Sequence, residues 1–457
     1  MINAVLDHIK SRETESLARM KAFLRIPSIS TDPDRKEDVR KAAHWVLELF
    51  NGCGIQAELV ETPGHPAVLA DTGPAKGDGP TILVYGHYDV QPVGERSLWR
   101  TEPFDPTEVD GAIFARGSAD DKGQVITHML AAEAWKKAAG GLPIRVKFLI
   151  EGEEEIGSPN LRTVIESRKD ALKCDYVVLS DTSKLNWDIP AITYGTKGLI
   201  YKQIDITGPK QDLHSGAFGG TVTNPGNALA RIIASMHDSK NRVAIPGFYD
   251  TVRALPDAER KALAALPYSE ADYLKMVGSP SLHGEDGYTT NERRWVRPTV
   301  DVNGVFGGFM AEGQSTIIPK QVGAKVSMRL VPDQDPETLG RLFDEHVQRV
   351  APPGVNVKVR TLASAGPYVC PLDLPGLVAA KAAIQDGYGK PPVLMREGGT
   401  LPILPMFKKL LGAESIMIGF SVPDCNLHGP NEFFHIDDFY KGIRTCAWLV
   451  HHLAKPR

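Results

Sequence analysis

Three short runs of apolar, β-branched residues each end in polar residues, and this pattern constrains the fold of the chain more than any other feature. The runs cover residues 81–85, 144–150 and 176–179. A helical pattern over about 119–139 separates the first two runs, and a second helical pattern over 159–168 precedes the third. Alternating strands and helices predict an α/β layer with a largely parallel sheet.

A second domain is expected, because 457 residues are too many for one hydrophobic core. From residue 194 the predicted order of elements changes to strand, helix, strand, strand, helix, strand, which is the ferredoxin-like α+β order. We therefore predict an α/β domain built from residues 1–193 and 367–457, with an α+β domain inserted over 194–366. A polar, helix-rich insertion at about 238–297 interrupts the inserted domain.

Charge and cysteine usage exclude several classes of function. The formal net charge is −4, which provides no basic field for nucleic acid or an anionic membrane. Five scattered cysteines form no disulfide framework, as is usual in a reducing compartment. Residues 1–30 mix charged and apolar residues, without the apolar run of a signal peptide or membrane span. We expect a cytoplasmic protein without a nucleic-acid or membrane partner.

Imidazoles and carboxylates lie directly after the predicted strands. In open α/β sheets, ligands bind beyond the carboxyl ends of the strands. Further acids precede the long helix after residue 119, and a histidine follows a late strand that ends at residue 418. These candidates are His87, Asp89, Asp120, Asp121, Glu151, Glu153, Glu154, Glu155, Asp181 and His428.

Each of these residues alone has an ordinary explanation, as a solvated turn residue, a helix-dipole partner or part of a surface charge run. Their coincidence at every reachable strand end favours a common site. So many carboxylates in one crevice would repel one another without a cation, and two divalent ions that share a carboxylate would neutralise them. Zinc, manganese and cobalt all accept such ligands.

Four motifs resemble the M20 metallopeptidase family, and its carnosinase and cytosolic nonspecific dipeptidase branch is the most similar. The motifs are GHYD at 86–89, GSADDKG at 117–123, EGEEEIGS at 151–158 and LHSG at 213–216. The resemblance implies a zinc-peptidase-like catalytic domain with an inserted ferredoxin-like lid and dimerisation domain.

The same resemblance implies a role for each catalytic candidate. Glu154 would be the general base, Asp89 would orient the first histidine, and the peptide bond after Asp120 would be cis. Two divalent metal ions would bind, with Asp120 bridging them. One ion would be held by His87, Asp120 and Asp181, and the other by Asp120, Glu155 and His428.

Residues of the inserted domain would recognise the substrate in such a family member. His214 would stabilise the oxyanion from the partner subunit of a homodimer formed through the lid, although a turn histidine is the alternative for a monomer. Arg329 would bind a substrate carboxylate, assisted by Thr400 and by the backbone near Gly399. Thr316 would be a further contact with the substrate.

Three functions remain open at this point. The first is a hydrolase that cleaves the amide bond of dipeptides or short peptides with a free C-terminal carboxylate. The second is an N-acyl amino acid deacylase with the same chemistry, and the long insertion at 238–297 favours the first over it. The third is a noncatalytic peptide- or amino acid-binding protein, which the complete ligand set and Glu154 disfavour. A two-metal phosphatase ranks below these, because no cluster of basic residues accompanies the site.

Overall fold

Residues 1–455 are described by a computed structural model, in which the chain divides into two units. The first unit comprises Met1–Tyr194, Cys370–Met395 and the described residues from Ile403 onward, and the second comprises Gly195–Val369 and Arg396–Pro402. None of the described helices is long and apolar enough to cross a membrane.

The elements alternate between helix and strand in the first part of the chain. They are α1 (Ile2–Ser11), α2 (Glu13–Leu24), α3 (Lys36–Gly52), β1 (Gln56–Val60), β2 (Ala67–Asp71), β3 (Ile82–His87), β4 (Thr107–Val109), β5 (Ala112–Phe114), α4 (Lys122–Ala139), β6 (Val146–Glu151), α5 (Leu161–Ser167), α6 (Lys169–Leu172), β7 (Tyr176–Leu179) and β8 (Ala191–Thr196).

The middle and the end of the chain continue with mixed elements. The middle contains β9 (Gly198–Thr207), β10 (Leu213–His214), α7 (Ser215–Phe218), α8 (Pro225–Ala234), α9 (Asp257–Ala264), α10 (Glu270–Val277), α11 (Thr290–Trp295), β11 (Thr299–Gly307), β12 (Ile317–Ile318), β13 (Gln321–Leu330), α12 (Pro336–Val350), β14 (Asn356–Ala365) and β15 (Tyr368–Val369). The end contains α13 (Pro375–Tyr388), β16 (Val393–Glu397), α14 (Ile403–Leu411), β17 (Glu414–Ile418), β18 (Phe433–His435) and α15 (Ile436–Leu453).

The main sheet of the first unit has a parallel centre. Its strands run in the order β1-β2-β6-β3-β7-β17-β8, and β6, β3, β7 and β17 pair in parallel. Every residue of β3, β6 and β7 is buried, as expected for strands that are covered on both faces. Because these strands are parallel, their carboxyl ends meet at one edge, and His87 of β3 lies opposite Glu151 of β6.

Helix α4 begins later than the sequence pattern suggests. The apolar periodicity extends back to about residue 119, but the helix begins at Lys122, because the residues before it form an irregular loop that carries Asp120. Nearly all of α4 is buried, and it ends at Gly140, whose φ of 65° is readily adopted by glycine.

The second unit is built on an antiparallel sheet in the order β11-β13-β9-β14. Strand β9 alternates buried and half-buried residues, which is typical of a strand with one face on a core. Helices α8 and α12 contribute Ile232 and Phe343 to that core, where they pack with Ile200, Ile204 and Val326. The chain order β9-α8-β11-β13-α12-β14 is the predicted ferredoxin-like order, and α9, α10 and α11 lie within the predicted insertion.

Phe343 provides a test of this core, because its side chain is fully buried against the sheet. Phe343→Ala should lower the free energy of unfolding of the second unit by about 3–5 kcal/mol, since it removes buried apolar surface and leaves a cavity. Chemical denaturation would measure the change. As a control, Met276→Ala should change stability by less than about 0.5 kcal/mol, because Met276 on α10 is 61% exposed. Equal effects of the two substitutions would contradict this core.

Candidate metal centre

His87 is fully buried at the end of β3 and is held through both ring nitrogens. Its Nδ1 lies 3.1 Å from the carbonyl oxygen of Asp89, and its Nε2 lies 3.1 Å from Oδ1 of Asp120. A carbonyl oxygen can only accept, so Nδ1 carries a proton, and Nε2 is the atom available to a metal ion when the ring is neutral. Burial opposes the charged ring, but hydrogen bonds to Asp120 and Asp89 raise the pKa of His87 well above its ordinary value.

Asp120 lies between two histidines from different loops. Its Oδ1 faces His87, and its Oδ2 lies 2.8 Å from Nε2 of His428. Although burial acts in the opposite direction, these two histidines lower the pKa of Asp120 far below its ordinary value. The peptide bond between Asp120 and Asp121 is cis, as the resemblance implied.

Two groups of side chains could each hold a metal ion, and they share Asp120. Within each group the candidate ligand atoms lie within 4.8 Å of one another. The first group is His87, Asp120 and Asp181, and the second is Asp120, Glu155 and His428. The same two groups are the ligand sets that the family resemblance implied.

Glu154 and Glu155 lie on a short 3₁₀ turn that directly follows β6. The carboxylate of Asp89 accepts the backbone N–H of Glu154 (3.3 Å) and of Glu155 (3.0 Å), so Asp89 orients both His87 and this turn. Oε2 of Glu155 accepts from Gln91 Nε2 (2.8 Å) and lies 3.4 Å from His428 Nε2. Its Oε1 is buried and has no hydrogen-bond partner among the described residues.

Burial, and to a smaller extent neighbouring negative charge, disfavours the ionised forms of Glu154, Glu155 and Asp181. Burial raises the pKa of Glu155 to about 8, and it raises the pKa of Glu154 and, strongly, that of Asp181. A carboxylate that is buried beside other carboxylates is stabilised by a nearby cation. The unpartnered Glu155 oxygen and the mixture of imidazole and carboxylate donors therefore fit divalent metal ions.

The other glutamates of the 151–155 run are anchors of the structure. Glu151 accepts hydrogen bonds from Tyr85 Oη (2.6 Å) and Ser158 Oγ (2.8 Å). Glu153 is buried and accepts the backbone N–H of His65 (2.9 Å). Apart from the family resemblance, the sequence did not distinguish these two residues from Glu154 and Glu155.

The loop that carries Asp120 is also held by an interaction that the sequence did not reveal. Glu432 is fully buried, and its carboxylate accepts the backbone N–H of Gly117, Ala119 and Asp120. It also pairs with the buried Arg116, at 2.7 Å.

In the second unit, His214 and Thr316 are brought together by the β10–β12 pair. His214 lies opposite Ile317, and the backbone N–H of Ser215 donates to the carbonyl of Thr316 (2.9 Å). Nδ1 of His214 accepts from the backbone N–H of Gly216 (3.0 Å) and Ala217 (3.3 Å). The proton of the neutral ring is therefore on Nε2, and the side chain is exposed.

Arg329, Gly399 and Thr400 form a separate group in the second unit. Nη1 of Arg329 donates to Oγ1 of Thr400 (2.8 Å), and within residues 1–455 no carboxylate forms an ion pair with this half-buried guanidinium. The backbone N–H of Lys197 donates to the carbonyl of Gly399 (3.0 Å). Lys197, which the sequence did not single out, is 3% exposed, and burial lowers its pKa to about 7.

Comparison with known proteins identifies the family. Residues 83–452 match the model of peptidase family M20/M25/M40, so the chain belongs to this family and is an enzyme of the peptidase class. The Cys-Gly metallodipeptidase dug1 of Schizosaccharomyces pombe is 33% identical over 472 residues, covering 99% of this chain and 98% of that protein. The human Beta-Ala-His dipeptidase is 32% identical, covering 100% of this chain and 93% of that protein.

Solved structures agree with this membership. The dipeptidase Dug1p of Saccharomyces cerevisiae superposes with a TM-score of 0.85 at 29% identity, covering 100% of this chain and 99% of that one. Human carnosine dipeptidase 1 gives a TM-score of 0.84 at 29% identity, covering 99% of this chain and 98% of that one. The predicted family, branch and fold class, an α/β catalytic domain with an inserted α+β domain, are therefore confirmed.

Because Asp120 belongs to both candidate ligand groups, we expect it to control how metal ions change the melting temperature. Adding Zn²⁺ or Mn²⁺ to metal-stripped protein should raise its melting temperature, since a ligand present at 100 times its Kd stabilises the folded state by about 2.7 kcal/mol. Asp120→Asn should greatly reduce this shift, because it removes the carboxylate common to both ligand groups. Asp170→Asn on α6 is the matched control, because this carboxylate is exposed, and it should keep the full metal-induced rise in melting temperature. A full shift in Asp120→Asn, measured by scanning calorimetry, would exclude Asp120 as a shared ligand.

Proposed function

We propose that this chain hydrolyses the amide bond of dipeptides or short peptides with a free C-terminal carboxylate, at a centre for two divalent metal ions. The two ligand groups that share Asp120 carry this proposal. The metallodipeptidase names of its relatives support the substrate class. Zinc, manganese and cobalt all suit these donors, and availability would decide which of them is bound.

When bound, the metal ions supply Lewis acidity and lower the pKa of water towards neutrality. Glu154 is placed to move the proton, because it lies beside both ligand groups and belongs to neither. It takes a proton from the attacking water and returns it to the leaving amine. Burial raises the pKa of Glu154, and the positive charge of bound metal ions would act in the opposite direction.

The second unit supplies substrate recognition in this proposal. The Arg329 guanidinium, which forms no ion pair within residues 1–455, and the Thr400 hydroxyl would bind the C-terminal carboxylate, with the backbone at Gly399 beside them. Thr316 would contact the substrate near His214. The exposed Nε2–H of His214 is a donor for the oxyanion, and its ring is fixed by the two N–H groups that Nδ1 accepts.

A homodimer through the second unit is the proposed assembly. Strand β11 is at an edge of the antiparallel sheet, and apolar side chains on or just beyond it are exposed. Val305 is 61% exposed and Met310 is 72% exposed. An unpaired strand edge with exposed apolar residues is suited to a second copy of the same strand.

A reducing, cytoplasmic location belongs to the same proposal. None of the five cysteines, all of which lie within residues 1–455, forms a disulfide, which supports a compartment that keeps thiols reduced.

Hydrolysis of a matched substrate panel tests the reaction. Metal-stripped protein with Zn²⁺ or Mn²⁺ restored should cleave free dipeptides, and it should cleave C-terminally amidated dipeptides poorly because Arg329 then lacks its carboxylate partner. N-acetyl and N-succinyl amino acids should remain intact. Cleavage of the acylated amino acids alone would instead establish the deacylase function.

Glu154→Gln is the control for this panel. It should keep metal content and lower kcat by about 10²–10⁴-fold, which is the usual contribution of general acid–base catalysis. Metal analysis of the purified variant would verify that the centre is intact. Normal turnover by Glu154→Gln would exclude Glu154 as the base. If the unaltered protein binds two metal ions but hydrolyses none of the substrates, a binding protein would be favoured.

Substitution of His214 tests its proposed role as the oxyanion donor. His214→Ala should lower kcat by about 10²–10³-fold with little change in KM, because an oxyanion donor acts mainly in the transition state. If the histidine acts across a dimer, heterodimers of His214→Ala and Glu154→Gln subunits should regain activity, since one of their two sites is then complete. An unchanged kcat in His214→Ala would contradict the oxyanion role, and inactive heterodimers would contradict action across the dimer.

A further inference from the structure

A buried ion pair outside the proposed ligands connects three loops of the candidate metal centre. Glu432 lies in the loop that follows His428, and Arg116 lies in the loop that precedes Asp120. Both side chains are almost completely buried, with exposures of 0% and 1%. Their positions in the chain are 316 residues apart, so the pair joins segments that are distant in the sequence.

The Glu432 carboxylate is fully occupied by donors from the Asp120 loop. Its Oε2 accepts from Arg116 Nη1 (2.7 Å) and from the N–H of Gly117 (2.9 Å). Its Oε1 accepts from the N–H of Ala119 (2.8 Å) and of Asp120 itself (3.0 Å). A carboxylate offers about four acceptor positions, so no capacity remains for another ligand.

Arg116 extends the connection to a third loop and makes a second contact with the loop that follows His428. Its Nη2 donates to the carbonyl of Pro92 (3.0 Å), in the loop that follows His87 and Asp89. The same nitrogen donates to the carbonyl of Gly429 (3.1 Å), directly after His428. The guanidinium therefore contacts the loops on both sides of the bridging aspartate.

Stability alone is a poor explanation for this arrangement. A buried ion pair pays a large desolvation penalty, and apolar side chains of similar volume often stabilise a fold as well or better. The donors here are concentrated on the residues that precede and include Asp120, which indicates that the pair fixes geometry at the site.

We propose that Glu432 and Arg116 are positioning residues that hold Asp120 at a fixed distance from His428 and thereby set the metal affinity of the centre. Neither residue is a ligand or a contact of the substrate. The inference rests on the proposed metal centre and is independent of which peptide is cleaved.

Glu432→Gln is the direct test, because it preserves size but places an NH₂ group against two N–H donors whichever way the amide is turned. Titration calorimetry of metal-stripped protein with Zn²⁺ or Mn²⁺ should show about 10- to 100-fold weaker binding, the usual effect of removing a group that orients a ligand. Glu432→Asp keeps the charge but not the reach, so its affinity should lie between those of Glu432→Gln and the parent. This variant decides the question if Glu432→Gln does not fold.

Glu285→Gln is the matched control, because Glu285 is 7% exposed and pairs with Arg297 through two 2.8 Å hydrogen bonds in the second unit. It should lower the melting temperature and leave metal affinity unchanged. Folded Glu432 variants with the parent's metal affinity would overturn the positioning role. If the parent protein itself bound no metal, the proposed metal centre would be contradicted. That result differs from metal binding that is equal in the parent and the Glu432 variants.

Discussion

Asp120 is the residue on which the site depends most, because each of its carboxylate oxygens faces a histidine from a different loop. Glu154, Glu155 and Asp181 are close by, and burial raises the pKa of each. Like charges at this range repel one another, so these acids can all be ionised only if positive charge is supplied. Divalent metal ions would supply that charge, which agrees with membership of peptidase family M20/M25/M40.

The fold brings these charges together and then fixes them. The parallel strands β3, β6 and β7 end at one edge of the sheet, so the residues that follow each strand converge there. Buried carboxylates then hold the loops through backbone N–H groups. Asp89 holds the turn of Glu154 and Glu155, and Glu432 holds the segment that ends at Asp120. The positions of the candidate ligands are therefore held in part by acids outside the two ligand groups.

The sequence was sufficient for those parts of the structure that local patterns determine. Apolar periodicity predicts the buried strands and the ferredoxin-like order. The histidines and acids that follow the predicted strands give the ligand candidates. The start of α4 was misplaced, because the apolar pattern continues into the Asp120 loop. Glu432 and Arg116 were missed, because their pairing spans 316 residues and neither residue lies in a recognisable motif. Within the 151–155 run, the family resemblance selects Glu154 and Glu155, and the three-dimensional contacts show what Glu151 and Glu153 do instead.

In the proposed function, substrate choice would depend on the second unit, because a dipeptidase and a deacylase would use the same metal chemistry. Helix α11, within the predicted insertion, packs beside the loop that carries Gly399 and Thr400. The carbonyl of Arg293 accepts from Lys197 Nζ (3.1 Å), and the carbonyl of Arg294 lies only 3.0 Å from where a Cβ on Gly398 would be. The insertion thus supports the loop whose Thr400 binds Arg329. The predicted insertion is therefore in contact with the segment that carries residues proposed to recognise a free carboxylate.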